Sequence, residues 1–332
     1  DTDIEHNFEF GRPVCFFCQL PDGKISYYNF TATVSYADDA RMVVAMPSQK
    51  AVTEITGAEQ LGVQLYFDET SYQAMFEALS AVESAKGTRL AELRDIILGN
   101  APTGSRQIFP VSLPWLNPSQ EKAVNRVLAS RDVSIVHGPP GTGKTTTLVE
   151  AIFETLRREP QALVCAQSNA AVDWISEKLV DRGINVLRIG NPSRVNDKML
   201  SFTYERRFES HPSYPELWAI RKEMRQLRSS GRKRSYSDRE AQRNRLSRLR
   251  DRAIALEIQI DADLFNSAHV VASTLVSCNH RLMTGHHFGT LFIDEAAQAL
   301  EPACWIAIRH ADRLVLAGDH QQLPPTIKCF EA

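Results

Sequence analysis

Several things are scarce in this sequence, and each scarcity narrows what the protein can be. No run of about 18 apolar residues occurs in the 332 positions, so no segment reads as a membrane-spanning helix. The opening residues, DTDIEHNFEF, are acidic and polar, which is the wrong start for a secretory signal. Cysteine is sparse. Cys15, Cys18, Cys165, Cys278, Cys304 and Cys329 are scattered and do not resemble a disulfide framework, so a reducing, intracellular setting is expected. No tandem repeat is visible. Net charge is also nearly absent, at -2, but its distribution is uneven. Between Arg221 and Arg252 lie thirteen of the 38 Lys and Arg against four acids, so that segment carries +9 and the remainder about −11. What is plentiful is ordinary: 43% hydrophobic and 23% charged residues fit a soluble globular protein with a sizeable core and room for two or three domains.

Residues 10–67 hold short apolar or β-branched runs, VCFFCQL, YYNFTATVSY, RMVVAMP and LGVQLYF, separated by turn residues such as Pro21-Asp22-Gly23 and Pro47-Ser48. This pattern predicts a small β-barrel or sheet over 1–68. Helical spacing follows over 69–100, with Gly99 as the stop. A Pro, Gly and Ser-rich stretch, APTGSRQIFPVSLPWLNPSQ, marks a boundary. From 120 onward strands alternate with helices (VSIVHG, TTTLVEAIFETLRR, ALVCAQ, AAVDWISEKLV, NVLRIG), which implies an α/β fold with a mainly parallel sheet. Two long charged helical segments around SSGRKRSYS interrupt the rhythm over 200–265. It resumes with HVVAST, TLFIDE, EPACWIAIR and RLVLAGD. The expected layout is one α/β domain from 101–199 and 266–332, carrying a basic helical insertion.

Gly138-Pro-Pro-Gly-Thr-Gly-Lys-Thr145 fits the P-loop (Walker A) pattern and sits between a strand and a helix. Glycines at 138, 141 and 143 remove the Cβ atoms that would block a phosphate, so backbone N–H groups of the loop, including those near Pro139, Thr142 and Thr146, can face the anion. Lys144 is placed to reach the β- and γ-phosphates of ATP, and the Thr145 hydroxyl to bind Mg²⁺. The strand LFI runs into Asp294-Glu295, a Walker B pair. Asp294 suits a metal contact and Glu295 the activation of water; the plainer alternative is an acidic pair at the start of the next helix. A further strand ends in LAGDHQQLPPTI (316–327), where a neutral amide can touch the γ-phosphate or the attacking water. Gln322 is the first choice for that role and Gln321 the second. The alternative is a polar turn stiffened by Pro324-Pro325.

These segments together resemble the superfamily-one helicases of the up-frameshift and immunoglobulin-mu-binding type. The stretches that carry the resemblance are LNPSQEKAV (116–124), HGPPGTGKTTTLVE (137–150), VCAQSNAAVDWISEKL (164–179), IDEAAQALEPACW (293–305) and LAGDHQQLPPT (316–326). The family layout implies a P-loop NTPase (RecA-like) domain preceded by a small β-barrel and stalk helices. It also implies that Gln120 reads adenine, whereas by its sequence context alone Gln120 is a helix-start residue after Asn117-Pro118-Ser119. Ser168, Asn169 and Thr274 would touch single-stranded DNA or RNA, against the alternative of ordinary capping and turn bonding. The insertion would flank the nucleic-acid channel, with Arg232, Lys233, Arg234 and Arg239 neutralising phosphates as a group. Family members carry a second RecA-like domain after the GDxxQ segment, so the chain from Asp1 to Ala332 reads as a piece of a longer helicase, weak or inactive alone.

Other features carry less. Cys15-Phe-Phe-Cys18 has knuckle spacing but no second half, so packed thiols are expected. His286-His287 reads as a surface turn. Trp115, Trp174, Trp218 and Trp305 could stack bases, yet Trp174 and Trp305 fall on amphipathic helices where packing is expected. The rival functions are a P-loop kinase or other small-molecule NTPase, and a binding module without unwinding.

Overall fold

The computed structural model describes residue 8 and residues 13–19, 25–37, 41–58, 61–65, 69–229, 236–322 and 324–325. The chain divides into two compact units, 1–72 and 73–332. Among the described residues, no helix is long and apolar enough to cross a membrane.

In the first unit, strands β1 (Pro13–Gln19), β2 (Ile25–Ala37), β3 (Met42–Ala45) and β4 (Leu61–Leu65) form an antiparallel half-barrel sheet in the order β3-β2-β1-β4. Alternation makes it one-sided: Ala32 and Val34 are buried while Thr31 and Thr33 are exposed, and Val14 and Phe16 complete the small core. Helix α1 (Gln49–Thr56) was not expected from the sequence. Pro47-Ser48 reads as a turn, but Ser48 is an N-cap whose hydroxyl accepts from the Ala51 N–H. Cys15 is buried in β1 and its thiol donates to the Gln64 carbonyl, as a packed thiol would.

The second unit is built on six parallel strands: β5 (Val133–His137), β6 (Ala162–Ala166), β7 (Val186–Ile189), β8 (Val270–Thr274), β9 (Phe288–Asp294) and β10 (Ala311–Gly318). Their order is β5-β10-β9-β6-β8-β7. Every residue of β6 and β8 is buried, as expected of strands covered on both faces. Ala162, Val164 and Ala166 join a core with helices α4 (Pro118–Ala129), α5 (Lys144–Leu156) and α6 (Asn169–Asp181). Leu163 and Cys165 face the opposite core, which includes α3 (Arg89–Ile97), the later turns of α2 (Glu69–Ser84) and α10 (Glu301–Ile308).

Between β7 and β8 lie α7 (Tyr204–Glu209), α8 (Tyr214–Ser229) and α9 (Tyr236–Ser267). Leu217, Leu256 and Ile260 anchor α8 and α9 to the second core. Arg221–Glu257 (2.7 Å) and Arg252–Glu216 (2.8 Å) pair the two helices on exposed faces, where such bridges contribute little. Part of the basic character of the insertion is thus neutralised within it.

One buried cation ties the sheet to its helical cover. Arg313 of β10 donates to the Val127 carbonyl of α4 (2.7 Å) and to Thr290 Oγ1 of β9 (3.0 Å), and it pairs with Glu159 (3.3 Å). Replacing Arg313 by Met should lower the unfolding free energy in urea by about 3 kcal/mol, because it removes one partner from the buried Val127 carbonyl, from Thr290 and from Glu159. An unchanged midpoint would show that this network does not hold β10 in place.

Candidate nucleotide site and nucleic-acid face

Strand register sets the geometry. His137 pairs with Gly318, Leu316 with Ile293, Ala166 with Asp294 and Ala166 with Thr274, so five strands end along one edge of the sheet. Loops leaving that edge are therefore neighbours although they are far apart in the chain. The Gly138 N–H donates to the Gly318 carbonyl (3.3 Å), which joins the first loop to the last. Gly318 itself lies so close to the backbone after Asp294 that an added Cβ would sit 3.1 Å from the Ala297 nitrogen.

The P-loop frames a cavity of about 580 Å³ lined by Gln120, His137, Gly138, Pro139, Gly141, Thr142, Gly143 and Lys144 among others. Gly143 precedes α5 with φ +77, a left-handed conformation, and a Cβ there would meet the Gln120 amide at 2.4 Å. Gln120 occupies that space because of its own bonds. Its Oε1 accepts from the Asn117 N–H in a capping box, and its Nε2 donates to the Thr142 carbonyl (3.0 Å). The capping expected from sequence context is present, and the same amide props the P-loop. Thr145 and Thr146 stand one step further along, in the first turn of α5, and line a separate cleft with Trp174 and Lys178.

The Lys144 ammonium, nearly buried, lies 3.6 Å from Glu295 Oε1. Glu295 reaches it from a strained backbone: its φ of 49 is the one positive value at a non-glycine residue among those described. Such a conformation costs about 1–3 kcal/mol and is found where a side chain must be aimed. The Glu295 N–H donates to Asp294 Oδ1 (2.9 Å). Burial pushes the Asp294 carboxyl up to about 6; the Glu295 charge adds to this, while the Glu295 N–H and Lys144 oppose it. A buried carboxylate of this kind is stabilised by a nearby cation. The groups here, carboxylate oxygens with an ammonium and glycine-lined amides, fit Mg²⁺ and a polyphosphate.

Asp319, which sequence reasoning passed over, organises the last loop. Its Oδ1 accepts from the Gln321 N–H (3.0 Å) and lies 3.2 Å from His137 Nε2, while Oδ2 accepts from Gln322 Nε2 (3.3 Å). The Gln321 N–H first, then His137 and Gln322, hold the Asp319 carboxyl below the usual range, against the effect of burial. The signal was the Gly-Asp pair itself, since an acid directly after a buried strand end needs donors to satisfy it.

Beside this site, Ser168, Asn169 and Thr274 follow the adjacent strands β6 and β8. Ser168 caps α6, accepting from the Ala171 N–H (3.1 Å). Asn169 Oδ1 accepts from Arg188 (2.9 Å), a fully buried guanidinium of β7 that also pairs with Asp173 (2.8 Å). Thr274 Oγ1 lies 2.7 Å from the Ser277 hydroxyl. Capping is therefore present at Ser168 and turn bonding at Thr274, whereas Asn169 is held by a tertiary bond from Arg188; the Ser168 hydroxyl proton and the Asn169 amide protons are donors not used in these bonds. Nothing in the sequence marked Arg188 as the residue that orients Asn169. Arg232, Lys233 and Arg234 lie outside the described residues, as does the side chain of Arg239. Trp305 is buried as expected, but Trp174 is exposed, with Lys178 over its ring at 4.7 Å. His287 pairs with Asp312 at the surface, whereas His286 is half-buried and stacks on Phe265.

Residues 115–329 match the family model described as an AAA domain. The chain belongs to this family. Its motifs are those of the superfamily-one helicases, and relatives bear this out. DNA-binding protein SMUBP-2 of Mesocricetus auratus is 33% identical over 268 residues, covering 78% of this chain and 27% of that protein. DNA polymerase alpha-associated DNA helicase A of Saccharomyces cerevisiae is 37% identical over 65% of this chain and 33% of its own length. ATP-dependent helicase upf1 of Schizosaccharomyces pombe is 33% identical over 84% of this chain and 30% of its own length. The chain thus spans a third or less of the length of these relatives.

In the full-length protein a Glu295→Gln substitution should separate binding from chemistry. It should keep the fold and nucleotide affinity while lowering ATP turnover at least about 100-fold, the scale of a lost general base. Parallel nucleotide titration and steady-state turnover would check this, and undiminished turnover would remove Glu295 from the chemistry.

Proposed function

We propose that the chain is the first motor domain, with its N-terminal β-structure and a helical insertion, of an intracellular ATP-dependent helicase or translocase acting on single-stranded DNA or RNA. The observation that carries this reading is the Lys144–Glu295 contact of 3.6 Å, which unites the P-loop with the acidic end of β9. In this reading the chain divides into 1–68, a β-barrel, 69–100, stalk helices, a motor domain from 101–199 and 266–332, and the insertion at 200–265. The relatives, among them a DNA-binding protein and an ATP-dependent helicase, support the substrate class.

The residues act as follows. P-loop amides from Gly138 to Thr146 bind the phosphates, and Lys144 leaves Glu295 to donate to the β- and γ-phosphate oxygens. Thr145 and Asp294 would hold Mg²⁺, which when bound neutralises charge on those oxygens. Glu295, released from Lys144, accepts a proton from the attacking water, and Gln322 orients that water after leaving Asp319. Gln120 accepts and donates to the adenine edge by the same two atoms that now hold Asn117 and Thr142. Ser168 and Asn169, after the strand next to β9, and Thr274, one strand further, grip the nucleic acid. Arg232, Lys233, Arg234 and Arg239 add salt-sensitive, sequence-independent attraction. A second RecA-like domain supplying arginine fingers, and movement 5′ to 3′, belong to the same proposal.

The test is ATP turnover by the full-length protein with and without single-stranded RNA and DNA. Turnover should rise with at least one polymer. Lys144→Ala should abolish it while retaining strand binding that weakens with salt. Turnover indifferent to both polymers would favour a small-molecule NTPase, and turnover surviving Lys144→Ala would overturn the phosphate-site assignment.

A further inference from the structure

We infer that the end of β5 and the turn after β10 form a second metal site, for a transition ion such as Zn²⁺, made by His137, Asp319 and His320. One ligand atom from each of these residues lies within 4.8 Å of the other two, the one such grouping of three among the described residues. The residues come together because of sheet register: His137 pairs with Gly318, so residues 182 apart in sequence become neighbours.

The donor set selects the ion. Two imidazoles and one carboxylate suit Zn²⁺, whereas Mg²⁺ prefers oxygen ligands throughout, so this site is chemically distinct from the Thr145 and Asp294 pair. Three protein ligands with a fourth position open is a common arrangement for zinc. Metal–ligand bonds of about 2.0–2.2 Å place tetrahedral ligand atoms about 3.4 Å apart. His137 Nε2 and Asp319 Oδ1 are already 3.2 Å apart. The remaining adjustment falls on His320, which is exposed and whose ring lies 5.0 Å from that of His137. Asp319 is buried and His137 half-exposed, so the carboxylate is shielded from water while the imidazoles leave a way in.

Occupation would have a consequence that rests on the proposed ATP chemistry. Asp319 is the residue that holds Gln322 Nε2 and the Gln321 N–H. An ion bound between Asp319 and His137 fixes the last loop to β5 with Gln322 still on the carboxylate, away from its proposed task. Zn²⁺ therefore slows ATP turnover.

Binding is measured on the full chain by Co²⁺ absorption and Zn²⁺ competition, without reference to activity. One ion should bind with a tetrahedral Co²⁺ spectrum lacking thiolate bands. His320→Ala, at an exposed position, and His137→Gln should each weaken binding at least about tenfold, the cost of losing one of three ligands. Affinity unchanged in both variants, or thiolate bands that vanish in a Cys15→Ser, Cys18→Ser double variant, would overturn the site. In the full-length protein, micromolar Zn²⁺ should inhibit turnover and His320→Ala should relieve the inhibition. Binding without inhibition would refute the coupling to Gln322. Binding in a protein with no turnover would leave the metal site standing and remove the ATPase reading instead.

Discussion

Parallel pairing of β5, β10, β9, β6 and β8 brings the ends of five strands into one line, and the candidate site depends on that alignment. A parallel sheet must return each chain crossing over its face, so its loops emerge at one edge regardless of their distance in sequence. Here that edge collects an ammonium at 144, carboxylates at 294, 295 and 319, and amides at 120 and 322. The groups from different loops are brought together because Ala166 is opposite Asp294 and His137 opposite Gly318. The buried Arg313 bonds β10 to α4, β9 and Glu159.

At the edge, polar groups are held by one another. Lys144 rests on Glu295, Gln322 on Asp319, Gln120 on Asn117 and Thr142, and Asn169 on Arg188. Each bond engages a group that the proposed function needs elsewhere. Exchange of partners is therefore the physical content of the proposed cycle. A triphosphate competes for Lys144, an adenine for Gln120 and a reacting water for Gln322. The strained Glu295 backbone, φ 49, is consistent with a side chain placed for such an exchange.

Much of this was legible in the sequence for identifiable reasons. Apolar runs such as ALVCA and VVAST have strand length and full burial, and glycines at 138, 141 and 143 mark a loop with phosphate geometry. The alternation of elements from 120 onward followed from period and turn residues, and the motif order carried the family. The missed parts depend on three-dimensional proximity or on local competition. Helix α1 was obscured because Pro47-Ser48 serves equally as a turn or a cap. Arg188 lies inside an apolar strand, where its partners Asp173 and Asn169 come from the preceding helix. Trp174 sits on an amphipathic helix yet faces outward beside Lys178. Asp319 and His137 needed the register of β5 on β10 before their pairing could be seen.

The most direct measurement is an experimental structure of the full-length protein with a non-hydrolysable ATP analogue and Mg²⁺. The account predicts the triphosphate on the P-loop, Lys144 moved from Glu295 to the phosphates, the metal beside Thr145 and Asp294, and Gln322 released from Asp319. A nucleotide bound elsewhere, or one on the P-loop with the 3.6 Å Lys144–Glu295 contact intact, would contradict it.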